Sequence, residues 1–151
     1  MFDAIKSFFA SDENTSAPAT LDLTDVKLCS AALLVQVLTA DGVKRPAEEE
    51  KLRDILQTRY GLSADETEEL YKRARTATNS AVDLYGFTST LKRELDEEAR
   101  INLVRHLWDI VYSDGQLHEL EDNVVWRIAE LLAVSSRDRM LAKQDAVRDA
   151  D

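Results

Sequence analysis

The chain has 151 residues, which is enough for one domain with a buried core. It carries 29 acidic and 19 basic residues, a formal net charge of −10, and this balance disfavours binding to nucleic acid and to anionic lipid surfaces. Cations, basic peptides and basic protein surfaces are better electrostatic partners. A single cysteine excludes an intramolecular disulfide, and no apolar run approaches the roughly 18 residues needed to cross a bilayer. The N-terminus lacks the basic region of a signal peptide, so we expect a cytoplasmic protein with no integral membrane segment.

Residues 1–20 are expected to stand apart from the main domain. Residues 2–10 predict a short amphipathic helix, and the small and polar residues 11–20 predict a flexible linker. The apolar side of this helix consists of Phe2, Ile5, Phe8 and Phe9. We expect this side to dock on its own domain, on a partner or on a neighbouring protomer rather than on a membrane, because Asp3 and Lys6 cancel in charge. The sequence leaves the oligomeric state open.

Residues 21–151 are predicted to form an all-α domain, a compact bundle of about seven helices. Apolar residues recur with helical spacing, and no segment alternates convincingly with a period of two. The helices are expected at about 21–40, 46–60, 64–78, 82–95, 96–113 and 120–132, with a last helix that ends near 148. The second half of the first of these helices is apolar almost all round, which is typical of a central buried helix.

A corner between helices occurs twice in this bundle. Asp41-Gly42 ends one helix and Asp114-Gly115 ends another. In each corner a glutamate, Glu48 or Glu121, follows seven positions after the aspartate, and equivalent residues of the two corners are 73 positions apart. The matched spacing indicates an internal duplication of a helix-turn-helix corner.

Six acidic residues at these corners form the candidate site for a divalent cation or a basic protein partner: Asp41, Glu48, Glu49, Asp114, Glu121 and Asp122. In one interpretation they are turn and helix-capping residues only, since Asp-Gly is ordinary turn chemistry and acids suit helix N-termini. In the other they bind a cation whose identity the sequence does not give. Convergence of acids from both corners within about 4–6 Å favours the second interpretation, because like charges held so close are costly. A calcium-binding EF-hand is disfavoured, because Gly42 at its glycine position puts Val37 and Thr39 at ligand positions.

The corners and the segment between them resemble the tellurite-resistance TerB-like family, which also includes a domain of membrane-anchored DnaJ-type co-chaperones. The resemblance covers roughly residues 21–147 and rests on Ala31-Ala32-Leu33-Leu34, Ala40-Asp41-Gly42, Glu49, Ala81-Val82-Asp83-Leu84-Tyr85-Gly86-Phe87-Thr88, Leu107-Trp108, Ser113-Asp114-Gly115 and Glu121. It implies a helical bundle with acidic corners suspected of binding cations, here Asp41, Glu48, Asp114 and Glu121. It also implies a link to stress responses or membrane-associated complexes. This chain has no J-domain, which argues against a co-chaperone role.

We therefore expect a non-enzymatic binding module, associated with stress or tellurite resistance. The alternatives are a metal-dependent hydrolase that uses the same carboxylates, and a structural or interaction domain without a metal. Cys29 lies in the most apolar helix and predicts a buried structural thiol rather than a nucleophile paired with His106. His118 lies inside the second corner, but the equivalent position of the first corner is Arg45, and this mismatch argues against a shared site that contains histidine.

Overall fold

The computed structural model describes residues 25–43, 45–79, 84–116 and 118–150. Within these ranges the chain forms seven α-helices and no strand, which confirms the predicted all-α bundle. The helices are α1 (Val26–Leu38), α2 (Pro46–Tyr60), α3 (Ala64–Asn79), α4 (Leu84–Glu94), α5 (Glu97–Val111), α6 (Glu119–Leu131) and α7 (Ser136–Ala150). The predicted N-terminal helix and linker lie outside the described residues, so the division at residue 20 stays a prediction.

Helix α1 is the centre of the bundle. It packs against α2, α3, α4, α5 and α6, while α7 lies against α5. Every residue of α1 from Leu28 to Leu38 is buried except Gln36, as its nearly continuous apolar sequence predicts. The carboxylate of Asp25 caps the helix by accepting the backbone N–H of Lys27 at 2.9 Å.

The end of α1 differs from the sequence prediction. The helix stops at Leu38, two residues before the expected end, and Thr39 follows as its C-cap. The Thr39 hydroxyl donates to the carbonyl of Val35 at 2.9 Å, in competition with the regular helical pattern. Gly42 takes a φ of +74°, as expected for an Asp-Gly turn, but it lies three residues beyond the cap rather than directly after it.

The internal duplication is visible in the backbone. Helices α1 and α5 end at Leu38 and Val111, and helices α2 and α6 begin at Pro46 and Glu119, so both boundaries keep the offset of 73 residues. The glycine of the second turn, Gly115, has a φ of +77°, close to that of its counterpart in the first. Among the described residues, no helix has both the length and the apolar character needed to span a bilayer.

We expect Leu33→Ala to lower the free energy of unfolding by about 2–5 kcal/mol, because Leu33 is completely buried in the central helix and its truncation leaves a cavity. The matched control is Leu141→Ala on α7, where the side chain is 48% exposed and the expected change is within about 0.5 kcal/mol. Urea unfolding followed by circular dichroism measures both. Equal effects of the two substitutions would contradict the central position of α1.

Candidate metal centre

The two Asp-Gly turns have the same hydrogen bonding. The Asp41 carboxylate accepts the backbone N–H of Val43 at 3.0 Å, and the Asp114 carboxylate accepts the backbone N–H of Gln116 at the same distance. Each aspartate therefore closes its own turn, as the sequence predicts for Asp-Gly. One oxygen atom satisfies the turn, so the second oxygen of each carboxylate is available to other groups.

Arg45 and His118 occupy equivalent positions, each as the N-cap residue of the helix that follows its turn. Both have an extended backbone, and neither caps its helix with its side chain. Each side chain instead contacts the aspartate of its own corner. Arg45 Nη2 lies 2.8 Å from Asp41 Oδ2, and His118 Nε2 lies 2.9 Å from Asp114 Oδ2.

The same two side chains also reach across to the opposite corner. Arg45 Nη1 donates to Glu121 Oε2 at 3.0 Å, and its Nε lies 4.0 Å from Asp114 Oδ2. His118 Nε2 lies 3.9 Å from Glu48 Oε2. Acids of both corners thus converge around a few cationic or imidazole nitrogen atoms, and the two corners do not lie on opposite sides of the domain.

Glu48 and Glu121 lie at the centre of this cluster and are completely buried. Each is the third residue of its helix, a position where an acid is favoured by the helix dipole. No N–H or O–H group of the described residues donates to either Glu48 oxygen or to Glu121 Oε1. The two carboxyls are close enough to hydrogen-bond to each other when one of them carries a proton. Buried carboxyl oxygens of this kind are costly unless a shared proton, a water molecule or a cation satisfies them.

The four acids fall into two electrostatic classes. Burial raises the pKa of Glu48, and burial together with the neighbouring Glu48 carboxyl raises the pKa of Glu121. The hydrogen bond from Arg45 lowers the pKa of Asp41. Partial burial opposes ionisation of Asp114, but the hydrogen bonds from His118 and from the Gln116 N–H outweigh it and lower the pKa. The aspartates are ionised at neutral pH, whereas the buried glutamate pair tends to retain a proton.

This arrangement could hold a metal ion. One oxygen of Glu48, one oxygen of Glu121 and one ring nitrogen of His118 all lie within 4.8 Å of one another. A first-row ion with donors about 2.0–2.2 Å away needs those donors about 3–4 Å apart, which small side-chain movements provide. Asp114 Oδ2, hydrogen-bonded to His118 Nε2, lies beside these donors as a further oxygen.

Two of the six predicted site residues make contacts of another kind. Glu49 accepts a hydrogen bond from the Tyr71 hydroxyl at 3.1 Å, and Asp122 pairs with Lys143 at 3.2 Å. Glu49 and Asp122 each follow directly after a buried glutamate, and the helical rotation of about 100° per residue directs them elsewhere. The structure brings together the other four predicted acids: Asp41, Glu48, Asp114 and Glu121.

That the mismatch between Arg45 and His118 argues against a shared histidine-containing metal site stays a prediction. Arg45 and His118 differ in type, but both lie in the cluster because the duplication places equivalent positions at the same point of each corner. The offset of 73 residues was the signal that could have identified both. The prediction of a buried Cys29 is confirmed, and His106 lies beside Asp109 at 3.6 Å.

Comparison with known proteins agrees with this architecture. The sequence profile of the family described as tellurite resistance protein TerB matches residues 27–144, so the chain belongs to the TerB family. A crystal structure of a protein of unknown function from Porphyromonas gingivalis shares the fold, with a TM-score of 0.60 and 20% sequence identity over 82% of this chain and 96% of that one. No curated protein matches the sequence.

We expect the folded protein to lose stability as the pH rises from about 4.5, because the folded glutamate pair binds its proton more tightly than the unfolded chain does. The loss continues until the pH passes the raised pKa values and then levels off. Glu121→Gln removes one of the two carboxyls, so the loss of stability with rising pH should become smaller. At pH 8 the variant should be more stable than the wild type by about 1 kcal/mol or more.

Urea unfolding at pH 5, 6, 7 and 8 measures this difference. Glu119→Gln, an exposed substitution in the first turn of the same helix, controls for the loss of one charge. A Glu121→Gln variant that is less stable than the wild type throughout this range would show that the ionised pair stabilises the fold.

Proposed function

We propose that this TerB-family chain is a non-enzymatic binding module that holds a divalent cation between its two corners. Glu48, Glu121 and His118 are the proposed ligands. One observation carries the proposal: of the four oxygens of two completely buried carboxylates, three accept no hydrogen bond from the described residues, and they lie next to an imidazole nitrogen. An arrangement of this kind is costly unless a proton or a cation lies between the acids.

The donor set favours a transition metal over calcium. Two carboxylate oxygens and one imidazole nitrogen suit Zn²⁺ or Mn²⁺, whereas Ca²⁺ takes six to eight oxygen donors. To bind the ion, the glutamate pair must give up its shared proton. Affinity should therefore rise with pH, and binding should release protons.

Binding is better supported than hydrolysis. A cleft of about 750 Å³ lies between α2, α5 and α7, and its lining includes Arg53, Asp109 and Asp149 but none of the three proposed ligands. Glu48 and Glu121 are closed to solvent, so a substrate has no access to them in this conformation. A hydrolase that uses these carboxylates would need its acids to line a cleft.

A basic protein partner is the second candidate, and Arg45 is the observation in its favour. This guanidinium already lies against Asp41 and Glu121, which shows that the cluster accommodates an arginine. The carboxylates at the centre are fully buried, however, so an external side chain would have to displace the internal one. A small ion requires no such exchange.

An association with tellurite resistance, which the family description names, is best explained through a cation. The cluster contains four carboxylates, Asp41, Glu48, Asp114 and Glu121, and its charges repel an oxyanion such as tellurite. We therefore propose that any role in resistance depends on metal binding or on a partner, not on capture of tellurite itself.

Glu48→Gln should weaken Mn²⁺ binding by about tenfold or more, because it replaces a charged ligand by a neutral amide of the same shape. Paramagnetic broadening in ¹H–¹⁵N NMR spectra, titrated with Mn²⁺, reports the affinity and the position of the ion. Glu49→Gln is the matched control, since the same change one residue later affects a side chain that contacts Tyr71. Its affinity should equal that of the wild type.

In the wild type, broadening should centre on the backbone amides of both turns and of the first turns of α2 and α6. Zn²⁺ should abolish it by competition, with chemical shift changes at His118. Equal affinities of the Glu48→Gln and Glu49→Gln variants, or broadening spread over the acidic surface, would refute the proposed site.

A further inference from the structure

The contacts of Arg45 and His118 are related by the internal duplication. His118 contacts the aspartate of its own corner, Asp114, at 2.9 Å and the glutamate of the opposite corner, Glu48, at 3.9 Å. Arg45 contacts the aspartate of its own corner at 2.8 Å and Glu121 of the opposite corner at 3.0 Å. The cluster thus contains two equivalent positions, each formed by a nitrogen-bearing side chain, an aspartate and the opposite glutamate. The two positions adjoin, because Arg45 Nε also lies 4.0 Å from Asp114 Oδ2.

The buried carboxylates have two sides. Glu48 Oε1 lies 3.8 Å from Arg45 Nη1, whereas Glu48 Oε2 faces His118 Nε2. Glu121 Oε2 accepts from Arg45, and Glu121 Oε1 has no donor among the described residues. One side of the glutamate pair is therefore occupied by the guanidinium, and the other side has oxygen atoms next to an imidazole that accept no hydrogen bond from the described part of the chain.

We propose that the duplicated corners form a scaffold for two cations, in which the Arg45 guanidinium permanently fills one position and a divalent ion takes the other, at His118. This inference rests on the proposed metal site and adds two points: the number of divalent ions that the chain binds, and which of the two positions binds the ion. Arginine stays charged at all accessible pH values and donates in several directions, so it neutralises the first position without a metal. The chain therefore binds one divalent ion.

Arg45→His tests the inference, because it gives the first position the same donor that His118 supplies to the second. Native mass spectrometry and isothermal titration calorimetry with Zn²⁺ at pH 7.5 measure the number of ions bound. We expect one ion in the wild type and two in the Arg45→His variant. The matched control is Arg53→His, since Arg53 pairs with Glu68 and lies outside the cluster, and it should bind one ion.

Arg45→Gln provides a second variant in case Arg45→His fails to fold. It removes the charge without supplying a strong donor, so it should bind one Zn²⁺, and more tightly than the wild type because a neighbouring positive charge is lost. Loss of Zn²⁺ binding in this variant would overturn the inference.

The remaining outcomes separate this inference from the proposed function. One ion in both the wild type and a folded Arg45→His variant would overturn the two-position scaffold and leave the metal site intact. Two ions in the wild type would show that Arg45 fills no position. A wild type that binds no Zn²⁺ above the level of a His118→Ala variant would refute the metal site and this inference together.

Discussion

The cluster depends on the burial of two carboxyl groups at one point. Glu48 and Glu121 are both inaccessible to solvent, and two ionised carboxylates in such a place carry a desolvation cost of several kcal/mol each unless cations or hydrogen bonds compensate it. Arg45 donates to one of them and supplies a single positive charge. Among the described residues no other cation donates to the pair, and in the proposed function a proton or a divalent ion supplies the rest. In the proposed function, stability, proton binding and ion binding are therefore properties of the same few atoms.

The internal duplication gives the two corners of the site the same backbone boundaries. Helices α1 and α5 both end at the common core. The turns that follow them have Gly42 and Gly115 at positive φ and bring the N-cap residues Arg45 and His118 into one cluster. The backbones of the two corners agree closely, but the side chains differ at one decisive position, Arg45 against His118. A near-symmetric scaffold thus carries an asymmetric charge distribution, and we propose that this pair decides which position binds the ion.

The fold could be predicted from sequence because periodicity and turn residues determine it locally. Pro46 and Gly61 marked the two ends of α2, whereas the Asp-Gly turns placed the ends of α1 and α5 about two residues too late. The nearly all-apolar sequence of α1 identified the central helix. The site was only partly predictable. Spacing identified the corners, but it could not separate Glu48 from Glu49, because burial depends on which direction a side chain takes after helices from distant parts of the chain have packed. The cross-corner contacts of Arg45 have the same long-range origin.

The most direct test is a crystal structure of the full chain grown with Mn²⁺ and measured for anomalous scattering. We expect one anomalous peak between Glu48, Glu121 and His118, with Arg45 still bound to Asp41 and Glu121 on the opposite side of the carboxylates. If crystals at saturating Mn²⁺ show no anomalous peak at this point, and the two glutamates are hydrogen-bonded to each other, the proposed metal site is contradicted. The buried pair would then be a proton-sharing element of the fold.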